Sequence, residues 1–88
     1  MYLPFLITMN MTEFEQTLQP GKYRHFKGME YQLIGIARHS ETMEPMVVYR
    51  ALYGEGGLWV RPAAMWSEIV TKGDYHGPRF QYIGPIEA

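Results

Sequence analysis

Between Gly21 and Pro62 the chain reads GKYRHFKGMEYQLIGIARHSETMEPMVVYRALYGEGGLWVRP. Runs of β-branched, aliphatic and aromatic residues alternate there with polar or glycine-bearing corners. That is the signature of consecutive antiparallel strands, and it leaves little room for any other fold class. Residues 22–27 alternate, with Tyr23, His25 and Lys27 on one side and Lys22, Arg24 and Phe26 on the other. Gly28 breaks the run. Residues 31–39 form the next strand, whose Leu33, Ile34 and Ile36 require both faces to be partly covered and whose Gly35 permits a bulge.

The corner at residues 40–44 precedes Pro45, which suits a strand start, and residues 46–53 run back antiparallel. Gly54-Glu55-Gly56-Gly57 turns the chain into the strand 58–61, which Pro62 ends. These glycines join strand to strand with an acid among them, so they read as a hairpin with positive φ angles rather than a phosphate loop. Residues 63–70 are expected as one or two helical turns or a bent strand, with Pro62 at the first helical position favouring the turn. Residues 71–78 read as a polar loop, and residues 79–83 as a closing strand.

The N-terminal MYLPFLITMNM is too short an apolar stretch to span a bilayer. It also lacks the basic leader and small-residue cleavage site of a signal peptide, so an arm that packs on the domain or mediates self-association is expected. Asn10 with Glu13, or Thr12 with Glu15, has capping-box spacing, and Met11, Phe14 and Leu18 share a helical face. A short helix is therefore expected over residues 11–18. The domain divides into an arm and helix at 1–19, a barrel at 20–84 and a tail at 85–88.

The chain's 88 residues make one domain, and its 47% apolar and 15% aromatic content suffices for a core without staples. The absence of cysteine removes disulfides, thiolate nucleophiles and thiolate-bound zinc, and fits a cytoplasmic location. A net charge of −1, with basic residues spread along the chain, argues against general duplex DNA binding. About five short antiparallel strands with tight corners fit a small SH3-like barrel, because curling the sheet hides its edges. The expected class is mainly β.

With these runs in place, the segments GKYRHFKGMEY, ARHSETMEPMVVYRALYG, LWVRPAAMW and PRF give the chain a resemblance to the small bacterial family DUF1653, a domain of unknown function. The resemblance covers roughly Pro20 to Phe80. It implies an SH3-type barrel and brings no activity with it. Trp66 stands where such chains usually carry Phe, an aromatic exchange that leaves the implied fold intact.

Three groups of side chains invite chemistry. His39, Ser40, Glu41, Thr42 and Glu44 place an imidazole beside carboxylates, a general-base or ligand-binding arrangement; the alternative is a hairpin corner held by its own polar groups. His25, His39 and His76 lack the short spacing of zinc ligands, so no metal and no cofactor is expected. Tyr23, Tyr31, Tyr49, Tyr53 and Trp59 interleave with Arg38, Arg50 and Arg61, and barrel rims use such sets to stack a ring and fix an anion. The alternative is that these rings fill the core. Tyr49 and Arg50 point to opposite faces, as do Trp59 and Val60. Arg61 and Arg79 make an anion pocket if they meet on one rim, or pair with Glu41, Glu44 or Glu68.

The expected function is a non-catalytic binding module. Its rim comprises His39, Glu41, Glu44, Arg50, Trp59 and Arg61, and takes a small anionic or nucleotide-like ligand or a peptide. A small hydrolase using His39 with Glu41 or Glu44 is one alternative. The other is a structural role, with homo-oligomers formed through the arm and no membrane partner.

Overall fold

The computed structural model describes residues 18–87. Seven strands follow one another: β1 Gly21–His25, β2 Glu30–Arg38, β3 Pro45–Ala51, β4 Leu58–Pro62, β5 Ile69–Lys72, β6 Tyr75–Pro78 and β7 Phe80–Gly84. Five of them form one antiparallel sheet in the order β4-β3-β2-β1-β7, and β5 and β6 pair separately. The mainly β, antiparallel architecture is as expected. The helix expected over residues 11–18 lies outside the described residues except for Leu18, which sits in a bend. No helix among the described residues is long and apolar enough to cross a membrane.

Closure of the sheet is where the expectation and the structure part. Among the described residues β4 pairs only with β3 and β7 only with β1, so the sheet is open by hydrogen bonding. It is nevertheless strongly curled. Arg61 on β4 and Phe80 on β7 belong to opposite edges, yet the guanidinium carbon lies 5.6 Å from the ring centroid. Register shifts between Leu33 and Gly35 on β2, and between Lys22 and Tyr23 on β1, supply bulges that sharpen the bend.

The register sorts the side chains. Tyr23 lies opposite both Tyr31 and Tyr82, His25 opposite Phe80, Leu33 opposite Tyr49, and Tyr49 opposite Trp59. Directly opposed residues share a face, so these rings line the concave side. Lys22, Arg24 and Glu30 take the convex side, where Glu30 pairs with Arg24 at 3.0 Å and Lys22 at 3.9 Å. Exposed pairs of this kind contribute little to stability.

Pro62 releases the chain into a single 3-10 turn over Ala63–Met65, which swings Trp66 over the concave face. Trp66 is fully buried and stacks on Phe80 with centroids 3.8 Å apart and planes 2° from parallel. Tyr23 and Tyr49 meet the indole edge-on at 5.3 and 4.9 Å. Leu18, Leu33, Val47 and Ala63 complete the core. Leu18 therefore belongs to the packed unit, and the Gln19 carbonyl beside it accepts the Tyr23 hydroxyl at 2.6 Å.

Residues 71–78, expected as a polar loop, instead hold most of a hairpin. Ile69 to Lys72 pair with Tyr75 to Pro78 around a two-residue turn, Gly73-Asp74. Gly73 has φ +57° at the first turn position, a geometry that two-residue hairpins assign to glycine. The signal was local but weak, because the hairpin is mostly exposed and carries no apolar alternation. The Arg79 N–H then donates to the Glu68 carbonyl at 2.8 Å, and the two side chains pair at 2.9 Å, tying the entry of β7 to the start of β5. The glycine-rich turn is as read: Gly54 and Gly56 have φ of +58° and +70°.

Candidate functional site

The six rim residues read from the sequence do not converge. Val47 lies opposite Arg61 and Tyr49 opposite Trp59, so Arg61 and Trp59 are on the concave face. Arg50 lies opposite Leu58 on the convex face and donates to the Gly56 carbonyl at 2.9 Å, bracing the β3–β4 turn. His39, Glu41 and Glu44 occupy the tip of the β2–β3 hairpin. The physical reason is register: residue parity was legible on each strand, but only pairing shows which parity of one strand matches which of the next.

The hairpin tip behaves as a structural corner. His39 Nδ1 accepts the backbone N–H groups of Glu41 at 3.1 Å and Thr42 at 3.3 Å. The His39 N–H donates to the Glu44 carbonyl at 2.8 Å, and the Thr42 hydroxyl accepts the Glu44 N–H at 3.2 Å. An imidazole nitrogen that accepts two backbone donors is occupied in holding the turn, as Asx- and ST-type side chains are. Met43 takes φ +67° here, the one non-glycine residue with positive φ among the described residues.

A different group gathers at the mouth of the curl, around Phe80. His25 packs edge-on against that ring at 4.8 Å, and Tyr31 does so at 5.5 Å. The Tyr31 and Tyr53 hydroxyls share a hydrogen bond at 2.7 Å. Arg61 lies over the same ring. Arg79 precedes Phe80 directly. The sequence brought Arg61 and Arg79 together as alternatives, an anion pocket or pairing with acids. Arg79 does pair with Glu68, whereas no ion pair among the described residues involves Arg61.

The electrostatics at this mouth are positive. Burial pushes the His25 pKa below its usual value, and the charges of Arg61, Arg79 and Lys27 push it further down. Four cationic or potentially cationic groups from β1, the β1–β2 turn, β4 and the β6–β7 junction thus act on one small volume. The Lys27 N–H donates to His25 Nδ1 at 3.1 Å, leaving Nε2 to carry the proton of the neutral ring. Tyr31 is pushed up to about 12, first by burial and next by its bond to Tyr53.

Both guanidinium groups hold a buried Nε that finds no acceptor among the described residues. Buried donors of charged groups are normally satisfied, by protein, water or ligand. The indole nitrogen of Trp66 is in the same position. Tyr53, bonded to Tyr31 at the mouth, exposes ring surface, and Trp59 is exposed on β4 two residues before Arg61. The arrangement can fix an acceptor-rich anion and lay a flat group against aromatic faces.

The sequence offers Tyr31 and Tyr53 as rim aromatics and Arg79 as a partner of Arg61 but leaves all three out of the six-residue rim, and it gives no rim role to His25 or Phe80. Parity did place His25 beside Tyr23, but its approach to Arg61 depends on the curl. Among the described residues no three His, Cys, Asp or Glu side chains cluster to hold a metal ion. His76 Nδ1 lies 2.7 Å from the Thr71 hydroxyl on the outlying hairpin.

A model of the family described as "Protein of unknown function (DUF1653)" matches residues 21–82. A crystal structure of a DUF1653 protein from Bordetella bronchiseptica is 41% identical, with a TM-score of 0.75 over 83% of this chain and 96% of that one. No curated protein matches the chain. The matched span runs from β1 through Tyr82 on β7 and holds every residue of the aromatic mouth; that match and the 41% identity to the solved structure show that this chain belongs to the DUF1653 family.

Proposed function

We propose that the protein is a non-catalytic binding module that takes a small anionic, nucleotide-like ligand at the mouth of its curled sheet. In this reading the sheet is an SH3-like barrel left unsealed between β4 and β7, and the unsealed corner is the site. Arg61 and Arg79 supply donors to the anion, neutral His25 adds its Nε2–H, and Tyr53 and Trp59 offer ring faces. The assignment of binding to such a barrel is an analogy of fold. The observation that carries the proposal is local: Arg61 faces Phe80, adds to the lowering of the His25 pKa that burial begins, and among the described residues has neither a carboxylate partner nor an acceptor for its buried Nε.

The test is an NMR titration of the protein with AMP, adenosine and inorganic phosphate in separate arms. AMP is expected to shift His25, Tyr31 and the Arg61 Nε–H, and to raise the His25 midpoint, since an anion favours imidazolium. Phosphate is expected to act more weakly on the same groups, and adenosine only on the rings. The Arg61→Ala variant should lose the AMP response while Arg50→Ala keeps it. No response to AMP or phosphate at millimolar concentration, or shifts centred on residues 39–44, refutes the proposal.

A further inference from the structure

Strand β4 is an edge of the main sheet, and among the described residues its stretch Leu58 to Val60 carries no lysine, proline, bulge or covering segment, Arg61 and Pro62 coming only at its end. Edge strands display unpaired backbone N–H and C=O groups, and proteins blunt them with lysine, proline, bulges or a covering segment. Here β4 pairs with β3 over five successive residues without a register shift. Leu58, Trp59 and Val60 are 58%, 58% and 62% exposed, three consecutive large apolar side chains. A shallow recess of about 450 Å³, lined by Val48, Leu58, Trp59 and Val60, runs beside them. The opposite edge is guarded: Pro78 precedes β7, Pro85 follows it, and Arg79 is bonded back to Glu68.

The direction of the free backbone groups on β4 follows from one hydrogen bond. The Ala51 N–H donates to the Gly57 carbonyl at 3.0 Å, and Arg50 lies opposite Leu58. In an antiparallel ladder bonded and non-bonded pairs alternate. Residues 57, 59 and 61 therefore exchange bonds with β3, and residues 58, 60 and 62 turn their polar groups to the open edge. This set is self-complementary about Val60.

We infer that β4 pairs antiparallel with β4 of a second copy of this chain, about a two-fold axis through Val60. In that register the two Val60 residues exchange both of their bonds, and each Leu58 N–H meets the Pro62 carbonyl opposite. Pro62 lacks a donor, so four backbone bonds form across the whole length of the strand. Trp59 of each copy falls opposite Arg61 of the other on the concave face, a ring facing a cation. Val60 meets Val60 and Leu58 meets Pro62 on the convex face. A register centred on Arg61 places like charges in opposition, and one centred on Trp59 leaves Pro62 facing the turn. Two-fold pairing of identical patches is the commonest symmetric assembly. The contact is one short strand, so the dimer is weak. This inference rests on the open backbone of β4 and not on the ligand proposal, although both use the Trp59 and Arg61 side chains.

The test is sedimentation equilibrium on the full 88-residue chain from about 10 μM to about 1 mM, the range in which small, weak interfaces form. The mass is expected to rise from 10.3 kDa toward twice that value. The Val60 amide should exchange with deuterium slowly at high concentration and quickly at low. Val60→Pro removes an outward-facing donor that β3 does not use, so it should stay monomeric with an unchanged circular dichroism spectrum. Val60→Lys serves the same purpose should the proline variant misfold. A chain lacking residues 1–17 should still dimerise. A constant 10.3 kDa mass overturns the inference, as does a dimer that survives both Val60 variants. It is also overturned if the Val60 amide is protected at every concentration and loses protection on deletion of residues 1–17, since the arm then covers the edge within one chain.

Discussion

Replacing Phe80 by leucine removes the ring around which the core and the candidate site are both arranged, while keeping an apolar side chain in place. Phe80 is buried, stacks on Trp66, and meets Tyr31, Tyr49 and His25 edge-on. A stacked pair contributes about 0.5–1.5 kcal/mol beyond the area it buries. The Arg61 guanidinium over the ring adds about 0.5–1 kcal/mol. Leucine leaves a void on the order of 25 Å³, about 0.6 kcal/mol at the usual cavity cost. The expected loss is therefore about 2–3 kcal/mol, against a total of roughly 4–13 kcal/mol for a chain of this size. The variant stays folded but marginal. Urea unfolding followed by tryptophan fluorescence reads the loss. With a slope near 1 kcal/mol per molar, the midpoint should fall by roughly 2–3 M at unchanged slope. A loss under about 1 kcal/mol would show that the Trp66–Phe80 stack does not hold the curl, and the reasoning about the mouth would fail with it.

Gly21 has φ +143°, and a Cβ there would lie 2.7 Å from the Gly84 carbonyl oxygen and 2.9 Å from the Tyr82 ring. Gly21→Ala should therefore cost about 2 kcal/mol or more in thermal unfolding, and a neutral result would mean the β1–β7 junction yields freely. His25 should titrate below pH 6.5 by NMR. Its folded pKa is depressed, so the neutral ring's contribution to stability is complete above pH 6.5 and is lost as pH falls through the folded value. His25→Gln should lack that component of the acid loss, and identical pH profiles would contradict the cluster. Tyr31 should ionise at about 12 by ultraviolet titration. Its stabilising effect holds below pH 10 and fades between there and about 12. Tyr53→Phe should lower that value without reaching 10, because burial remains the larger cause; an unmoved midpoint would deny the 2.7 Å bond any role.

How much of this was legible differs from element to element. Strands β2, β3 and β4 stand within one or two residues of where apolar runs and Gly or Pro corners placed them, because both signals are local. The end of β1 was overrun, since Phe26 and Lys27 continue the alternation but lie in a turn that hydrogen bonds from Gly28 to His25 and from His25 to Met29 close. The β5–β6 hairpin was passed over despite its Gly-Asp turn. Its residues are mostly exposed, so no core-facing pattern marks them. Of the six rim residues named from the sequence, register puts Arg61 and Trp59 on the concave face. Arg50 was picked as well, and register carried it to the other side.

The amino-acid order alone determined a mainly β chain with strands broken at Gly28, Pro45, the 54–57 glycines and Pro62, because strand formation and turn chemistry act over a few neighbouring residues. Tertiary structure alone decided that the sheet curls without sealing. It also decided that Trp66 roofs Phe80, and that His25, Arg61 and Arg79 meet at one mouth. Those contacts join residues as far apart as 25 and 79, and they depend on pairing register and bulges. Such features settle only when every strand has a neighbour, so no single segment contains them.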